Sequence, residues 1–269
     1  MSKSLQRVLF GGLLALATLF PLQSMAGDTL KRVVDFKVLK VGMSGNQAPM
    51  NTRNREGGLM GMDVDLAKAL AVAMRVKLEI KTMPFGELMT ALEKDEIDMV
   101  ISGMAITPER TEFASFVGPY MMSGKSILTK SSVLANIKGT EEFNRGDLTL
   151  VALSNSTSSS FVRLAAPEAK LVEVKDYDEG IAMVKEGKAD GMVADMPACV
   201  LAVMRYPDAG LVTLDKPLTM EPIGIAISKD DPQFLNLVDN FVDAYGKTGI
   251  LSQLRKRWME QSDWLAALP

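Results

Sequence analysis

The chain lacks histidine entirely and has a single cysteine among its 269 residues. Without histidine, Ser-His-Asp and Cys-His catalysis are excluded, and the usual zinc sites become improbable. Cys199 cannot form an internal disulfide, and its apolar neighbours predict a buried thiol that behaves as a small hydrophobe. The formal net charge is only −3, which argues against a protein that binds a phosphate backbone. Exported enzymes of the common hydrolytic kinds are therefore mostly excluded.

Long apolar runs are also scarce, and the one that is present lies at the N-terminus. Lys3 and Arg7 precede the apolar run from Val8 to Leu22, and the small residues of an export cleavage site follow in Ser24-Met25-Ala26. The pattern predicts a signal peptide over residues 1–26, cleaved after Ala26, and hence a soluble periplasmic protein. An uncleaved anchor is the alternative, but the run is shorter than the ~20 residues that span a bilayer.

Hydrophobic residues make up 47% of the chain, enough for sizeable cores in one large domain or two small ones. Strand-like and helix-like segments alternate along the sequence, an order that predicts parallel α/β sheets. The predicted strands are Val38–Met43, Val76–Thr82, Asp98–Ser102, Thr149–Leu153, Leu171–Lys175 and Ala189–Ala194. The predicted helices are Asp63–Met74, Leu88–Glu93, one from about Ser158, and one around Ile181–Glu186.

The two halves of the chain share a short internal similarity. Residues Leu92 to Gly103 align position by position with Val184 to Asp195. Each segment has the pattern of a helix end, a charged turn, an aspartate and an apolar strand. The similarity alone is weak, because such matches are common. Its geometric consequence is that Gly103 and Asp195 would lie at the carboxyl ends of corresponding strands, where open α/β sheets bind ligands.

An arginine at the start of a helix follows the strand that carries Gly103. Thr107 is a good N-cap and Pro108 a natural first helical residue, so Arg110 falls in the first turn. The helix dipole disfavours a cation there, so Arg110 is expected to have an anionic partner. That partner is either a protein carboxylate in a surface salt bridge or a ligand carboxylate held beside free backbone amides.

Two features of the second half admit a similar choice. The polar run from Ser154 to Ser160 is either a capped loop or a turn that presents free N–H groups to an anion. Asp195 is either a solvated or capping carboxylate, since Pro197 follows closely, or a cleft residue suited to an ammonium group.

Four ordered motifs together carry a resemblance to a known family. They are Gly61–Ala67, Gly103–Arg110, Ser154–Ser160 and Ala194–Pro197. In this order they resemble family 3 periplasmic solute-binding proteins, the polar amino-acid receptors of ABC importers, over about Val38 to Trp258. The resemblance implies two α/β lobes, each a mostly parallel sheet flanked by helices, joined by a two-strand hinge. The implied ranges are 27–123 and 224–269 for the first lobe, 129–218 for the second, and 124–128 and 219–223 for the hinge.

The same resemblance implies a site for a ligand carboxylate. Arg110 matches the arginine that pairs with the α-carboxylate, and the backbone around Gly103 and Ala105 matches the groups beside it. Thr157 and Ser158 match the turn of the second lobe that completes this site. Ala105 stands where many relatives have Thr or Ser, so a hydroxyl contact to the ligand is missing.

The remaining implied contacts concern the ammonium group and the side chain of the ligand. Asp195 matches the acid that holds the α-ammonium. Phe85 matches an aromatic residue that packs on the ligand side chain, with simple core packing as the alternative. Gln47 stands where several relatives have an aromatic residue, which leaves the identity of the ligand open more than its class.

The expected function is capture of an amino acid or similar zwitterion and its delivery to an inner-membrane permease. The resemblance implies a monomer with no catalytic residue, no metal, no cofactor and no nucleic-acid partner. One alternative is an exported dehydratase on the same scaffold, in which Glu109, Glu221 or Asp195 would be the proton donor. The other is a sensor that presents the ligand to a membrane kinase.

Overall fold

The structure, a computed structural model, describes residues 28–137 and 139–269. The predicted signal peptide and its cleavage site lie outside the described residues. Within the described part of the chain, no helix is long and apolar enough to cross a membrane.

The first lobe is built on a five-stranded sheet with the order β4-β1-β5-β11-β6. Its strands are β1 (Val38–Met43), β4 (Lys77–Thr82), β5 (Met99–Ala105), β6 (Ala114–Ser123) and β11 (Glu221–Ser228), and a small hairpin of β2 (Thr52–Arg53) and β3 (Leu59–Met60) lies apart. Its helices are α1 (Asp28–Phe36), α2 (Met62–Met74), α3 (Leu88–Glu93), α4 (Pro108–Thr111), α8 (Pro232–Lys247) and α9 (Ile250–Arg255).

The second lobe is built on a four-stranded sheet with the order β7-β10-β8-β9. Its strands are β7 (Lys125–Thr129), β8 (Thr149–Leu153), β9 (Lys170–Val174) and β10 (Gly191–Asp195). Its helices are α5 (Thr157–Ala165), α6 (Tyr177–Lys185) and α7 (Met196–Arg205).

Both sheets are mostly parallel, as the alternating sequence pattern predicts. In the first sheet β1 is parallel to β4 and β5, and only β11 runs against its neighbours β5 and β6. In the second sheet β8 is parallel to β9 and β10, and only β7 is antiparallel. The carboxyl ends of β5 and β10 therefore lie on the sides of the two sheets where open α/β sheets bind ligands.

The chain crosses between the two sheets twice, and the crossings run side by side. Gly124 lies between β6 and β7, and its backbone is so close to the second crossing that a Cβ there would be 2.0 Å from the Thr219 carbonyl oxygen. Only glycine permits this approach. The Lys125 amide donates to Thr219 Oγ1 at 2.9 Å, which ties the crossings together. Most of the predicted hinge range 124–128 forms β7, and the lobe and hinge limits stay a proposal.

The apolar core continues from one lobe to the other. Tightly buried side chains such as Val41 and Phe234 fill the first lobe, and Phe143 fills the second. A third cluster joins Leu88 of the first lobe to Val151 of the second. The two lobes are thus in contact rather than apart.

Most predicted elements begin or end within a few residues of the observed ones, and β1, α3 and β8 match their predicted bounds. The strand predicted to end at Ser102 runs on to Ala105, so Gly103 lies inside β5 rather than at its end. The reason is an irregularity in the sheet. Gly103 has φ +55, and the pairing of β5 with β11 shifts register between Gly224 and Ala226. Such an irregularity absorbs the extra residues of β5 and lets the strand continue.

Candidate functional site

The interface between the lobes brings most of the predicted site residues together. Arg110 Nη2 of the first lobe donates to the Asn155 carbonyl oxygen of the second at 3.3 Å. Gln47 Nε2 donates to the Tyr177 hydroxyl across the same cleft at 3.3 Å. The predicted site is therefore a cleft whose two walls already touch.

Arg110 is held where its helix begins. The Thr107 side chain accepts from the Arg110 amide at 3.3 Å, which confirms the predicted N-cap, and Pro108 begins α4. The Arg110 guanidinium donates to the Ala105 carbonyl oxygen at 2.8 Å and lies 5.6 Å from the centre of the Phe85 ring. In the described part of the chain it forms no salt bridge with a carboxylate, and the identity of its predicted anionic partner stays a prediction.

Burial lowers the pKa of the Arg110 guanidinium, and the nearby carboxylates of Glu221, Asp195 and Glu109 offset this only in part. A half-buried cation that faces carbonyl oxygens and an aromatic ring remains open to an anion. The environment of Arg110 thus suits a ligand carboxylate better than it suits a surface salt bridge.

Asp195 is the last residue of β10, and it already has a protein cation beside it. Its Oδ1 accepts from Lys125 Nζ at 2.8 Å, and Lys125 also lies 3.0 Å from Glu221 Oε2. The second oxygen, Oδ2, has only long contacts of 3.5 Å to Gln47 Nε2 and the Tyr177 hydroxyl. The Lys125 ammonium group therefore bridges the carboxylates of Asp195 and Glu221.

Lys125 and Tyr177 are absent from the predicted site residues. Glu221 is among them only as an alternative proton donor. Burial lowers the pKa of Lys125, but Asp195 and Glu221 raise it more, so the net pKa is raised and the ammonium stays charged. The one available signal was the position of Lys125 two residues before the apolar residues Ile127 and Leu128, where an unpaired lysine would be costly.

The polar turn of the second lobe forms a capped helix start, and part of it faces the cleft. Ser156 caps α5 by accepting from the Ser159 amide at 3.2 Å. Thr157 Oγ1 donates to Glu221 Oε2 at 2.8 Å, which links this turn to the start of β11. Ser158 is buried within the second lobe and does not line the space beside Arg110, unlike Thr157.

Two spaces of different size lie along the cleft. A compartment of about 690 Å³ opens beside Arg110, and its lining includes Phe85, Met104, Glu109, Asn155 and Thr157. A central space of about 10 Å³ is lined by residues that include Gln47, Gly103, Ser123 and Asp195. The central space holds about one water-sized group.

The central space is bordered by polar atoms without partners. Gln47 Oε1 and Ser123 Oγ are buried and make no hydrogen bond within the described residues. Gln47 also packs against Gly103, where a Cβ would lie 2.7 Å from its Nε2. Buried polar atoms without partners are uncommon in native proteins, and here they mark a place where a hydrogen-bonding group fits.

Ala105 is placed differently from the other predicted site residues. It is 3% exposed and packs in the core of the first lobe, and its carbonyl oxygen accepts a hydrogen bond from Arg110.

A further apolar pocket of about 470 Å³ lies beside the two crossings, with Met122, Met204 and Trp264 in its lining. It carries none of the charged residues described above.

Several known proteins are similar to this chain. Residues 39–261 match the model of bacterial extracellular solute-binding proteins, family 3. Cyclohexadienyl dehydratase of Pseudomonas aeruginosa is 28% identical over 231 residues, 86% of each chain. The ABC transporter glutamine-binding protein of Bacillus subtilis is 27% identical over 87% of this chain and 85% of its own.

A solved structure is also similar to this chain in fold and sequence. The binding component of an ABC transporter from Wolinella succinogenes, complexed with lysine, has a TM-score of 0.80 and 34% identity. The match covers 86% of this chain and 99% of the other. The chain belongs to the bacterial extracellular solute-binding proteins of family 3, and it has the two-lobed periplasmic-binding-protein fold.

Proposed function

We propose that this solute-binding protein captures an amino acid or a similar small zwitterion between its lobes and delivers it to the permease of an ABC importer. The observation that carries the proposal is the charge distribution of the cleft. Arg110 has no carboxylate partner in the described residues, whereas Lys125, Asp195 and Glu221 together carry a formal charge of −1. A zwitterion matches both ends, with its carboxylate at Arg110 and its ammonium group at Asp195.

The carboxylate of the ligand is proposed to bind at Arg110, whose fork of N–H groups can hold two oxygens. Thr157 and the backbone near Gly103 and Ala105 lie beside it and complete the carboxylate site. Phe85, next to the guanidinium, is proposed to contact the ligand side chain.

The ammonium group is proposed to enter the central space beside Asp195. Asp195 Oδ2, Gln47 Oε1 and Ser123 Oγ border this space, and each is an acceptor that lacks a short hydrogen bond. The space is about as large as one ammonium group. Binding there would satisfy polar atoms that are otherwise buried without a partner.

Entry of a ligand requires the lobes to separate, because the walls of the cleft contact each other. We propose that the crossings at residues 124–128 and 219–223 act as the hinge. They join the first lobe, residues 27–123 and 224–269, to the second lobe, residues 129–218. Closure then expels water and brings the two charged ends onto the ligand. The mature protein is proposed to be a periplasmic monomer that begins after Ala26, and its closed form to dock on the permease.

The test is direct identification of the ligand. The protein without residues 1–26 is purified, denatured and extracted, and the released molecules are identified by mass spectrometry. Titration of the refolded protein with the twenty amino acids by calorimetry then ranks them. Saturable binding of at least one amino acid supports the proposal, and no binding of any of them counts against it.

A second candidate function is suggested by the dehydratase relative. The structure favours binding over acid catalysis, because Asp195 and Glu221 share the Lys125 cation instead of facing the cleft as free acids. For Glu109, hydrogen bonds from its own backbone and from Thr107 lower the pKa, which favours the ionised carboxylate and leaves it without the proton that a general acid must donate. Incubation with a cyclohexadienyl carboxylate, monitored for aromatic absorbance, should give no turnover.

A further inference from the structure

Lys125 is a buried cation placed at the end of the cleft that is assigned to the ligand ammonium. Its side chain is 2% exposed, and its Nζ lies 2.8 Å from Asp195 Oδ1 and 3.0 Å from Glu221 Oε2. Glu221 is fixed in turn by Thr157 and Thr219, which donate at 2.8 and 3.1 Å. The ammonium group of Lys125 is therefore held rigidly between two carboxylates.

This arrangement changes what Asp195 requires from a ligand. A buried carboxylate without a cation is strongly destabilising, so a cleft with Asp195 alone would make a ligand ammonium obligatory. Here Lys125 supplies that cation, although it shares its charge with Glu221 and the three residues together keep a formal charge of −1. The ligand ammonium can add a contact with Asp195 Oδ2, but it does not have to neutralise Asp195.

We propose that Lys125 is a specificity-determining residue that replaces the ligand ammonium as the counter-ion of Asp195. The substrate class then extends from α-amino acids to the corresponding small carboxylates that lack the amino group. The inference rests on the proposed function in one respect, since it takes Arg110 as the anchor of the carboxylate.

The first test compares matched ligands on the unmodified mature protein. Three pairs are titrated by calorimetry: L-glutamine with glutaramate, L-arginine with 5-guanidinopentanoate, and L-phenylalanine with 3-phenylpropanoate. For every pair that binds, the two dissociation constants should differ by less than about tenfold, equivalent to about 1.4 kcal/mol. A preference of about a hundredfold or more for the amino acid overturns the inference and leaves the proposed function standing. If neither member of any pair binds, the inference fails, and the proposed function is then decided by the titration with the twenty amino acids.

The second test removes the internal cation. Lys125→Met leaves Asp195 and Glu221 without their shared partner, so the deaminated acid should lose at least about thirtyfold in affinity relative to its amino acid. An unchanged ratio overturns the inference. Lys130→Met is the matched control, because Lys130 follows the same strand but is exposed and donates to the Lys185 carbonyl oxygen, away from the cleft carboxylates. It should leave the ratio unchanged.

The charge imbalance in Lys125→Met can also impair folding, which circular dichroism would reveal. The double variant Lys125→Met with Glu221→Gln removes one negative charge as well and leaves Asp195 as the single remaining carboxylate of the cluster. The same preference for the amino acid should appear in this variant. Equal affinities for both ligands there would show that Asp195 never needs a cation and would overturn the inference.

Discussion

Replacement of Arg110 by alanine is the sharpest test of the binding site. Arg110 donates at 2.8 Å to the Ala105 carbonyl oxygen and at 3.3 Å to the Asn155 carbonyl oxygen of the other lobe. Its guanidinium is therefore preorganised at the interface, and little side-chain entropy is lost when a carboxylate binds. The alanine variant would leave the ligand carboxylate without a cation in a largely desolvated cleft.

Truncation of one partner of a buried charge pair costs about 2–5 kcal/mol. Arg110→Ala should accordingly weaken binding by about 30-fold to about 4000-fold. Arg110→Lys keeps the charge but loses the planar fork, so its affinity should fall between those of the wild type and Arg110→Ala. The assay is calorimetric titration with the amino acid that binds the wild type best.

The matched control is Arg163→Ala. Arg163 lies on α5, is exposed and pairs with Glu173 at 2.7 Å, so its loss should leave affinity unchanged. Thermal unfolding of each variant separates a lost contact from a lost fold. A dissociation constant for Arg110→Ala within about threefold of the wild type would refute the assignment of Arg110 as the carboxylate anchor.

Three further predictions concern buried side chains around the cleft. Ala105→Thr adds atoms to a filled core, so it should cost about 1–3 kcal/mol of stability and weaken binding. Tighter binding in calorimetry would contradict this prediction and indicate that the added hydroxyl contacts the ligand, as in the relatives. Burial raises the pKa of Asp63 from 3.8 to about 6, against hydrogen bonds from Tyr120 and Asn51 that lower it. The folded state therefore holds this proton more tightly, so the wild type should lose about 3 kcal/mol of stability relative to Asp63→Asn as pH rises from about 4 to about 6. Urea unfolding of both proteins across this range checks it, and parallel pH curves would contradict it. Burial also raises the pKa of the Cys199 thiol to about 12, so a thiol reagent at about pH 8 should label it only in denaturant, and rapid labelling of the native protein would show that the thiol is accessible.

The sequence by itself determined the features that depend on near neighbours. Apolar periodicity located β1, β8 and α3, because burial of one face repeats with the period of the strand or helix. The Thr107 cap was readable for the same reason, since it joins atoms only three residues apart. The apolar neighbours of Cys199 likewise predicted its burial, and it is 1% exposed. The roles assigned to the site residues remain predictions.

Only the tertiary structure decided which charges meet. Lys125 and Asp195 are 70 residues apart, and Gln47 and Tyr177 are 130 apart. Lys125 and Asp195 meet because β7 pairs with β10 in the second sheet, and Gln47 and Tyr177 meet because the two lobes are in contact. Side-chain spacing along a strand or helix carries no information about such long-range contacts. The sequence could therefore present Asp195 as a carboxylate that needs a cation, but the packing of β7 against β10 decided that Lys125 supplies it.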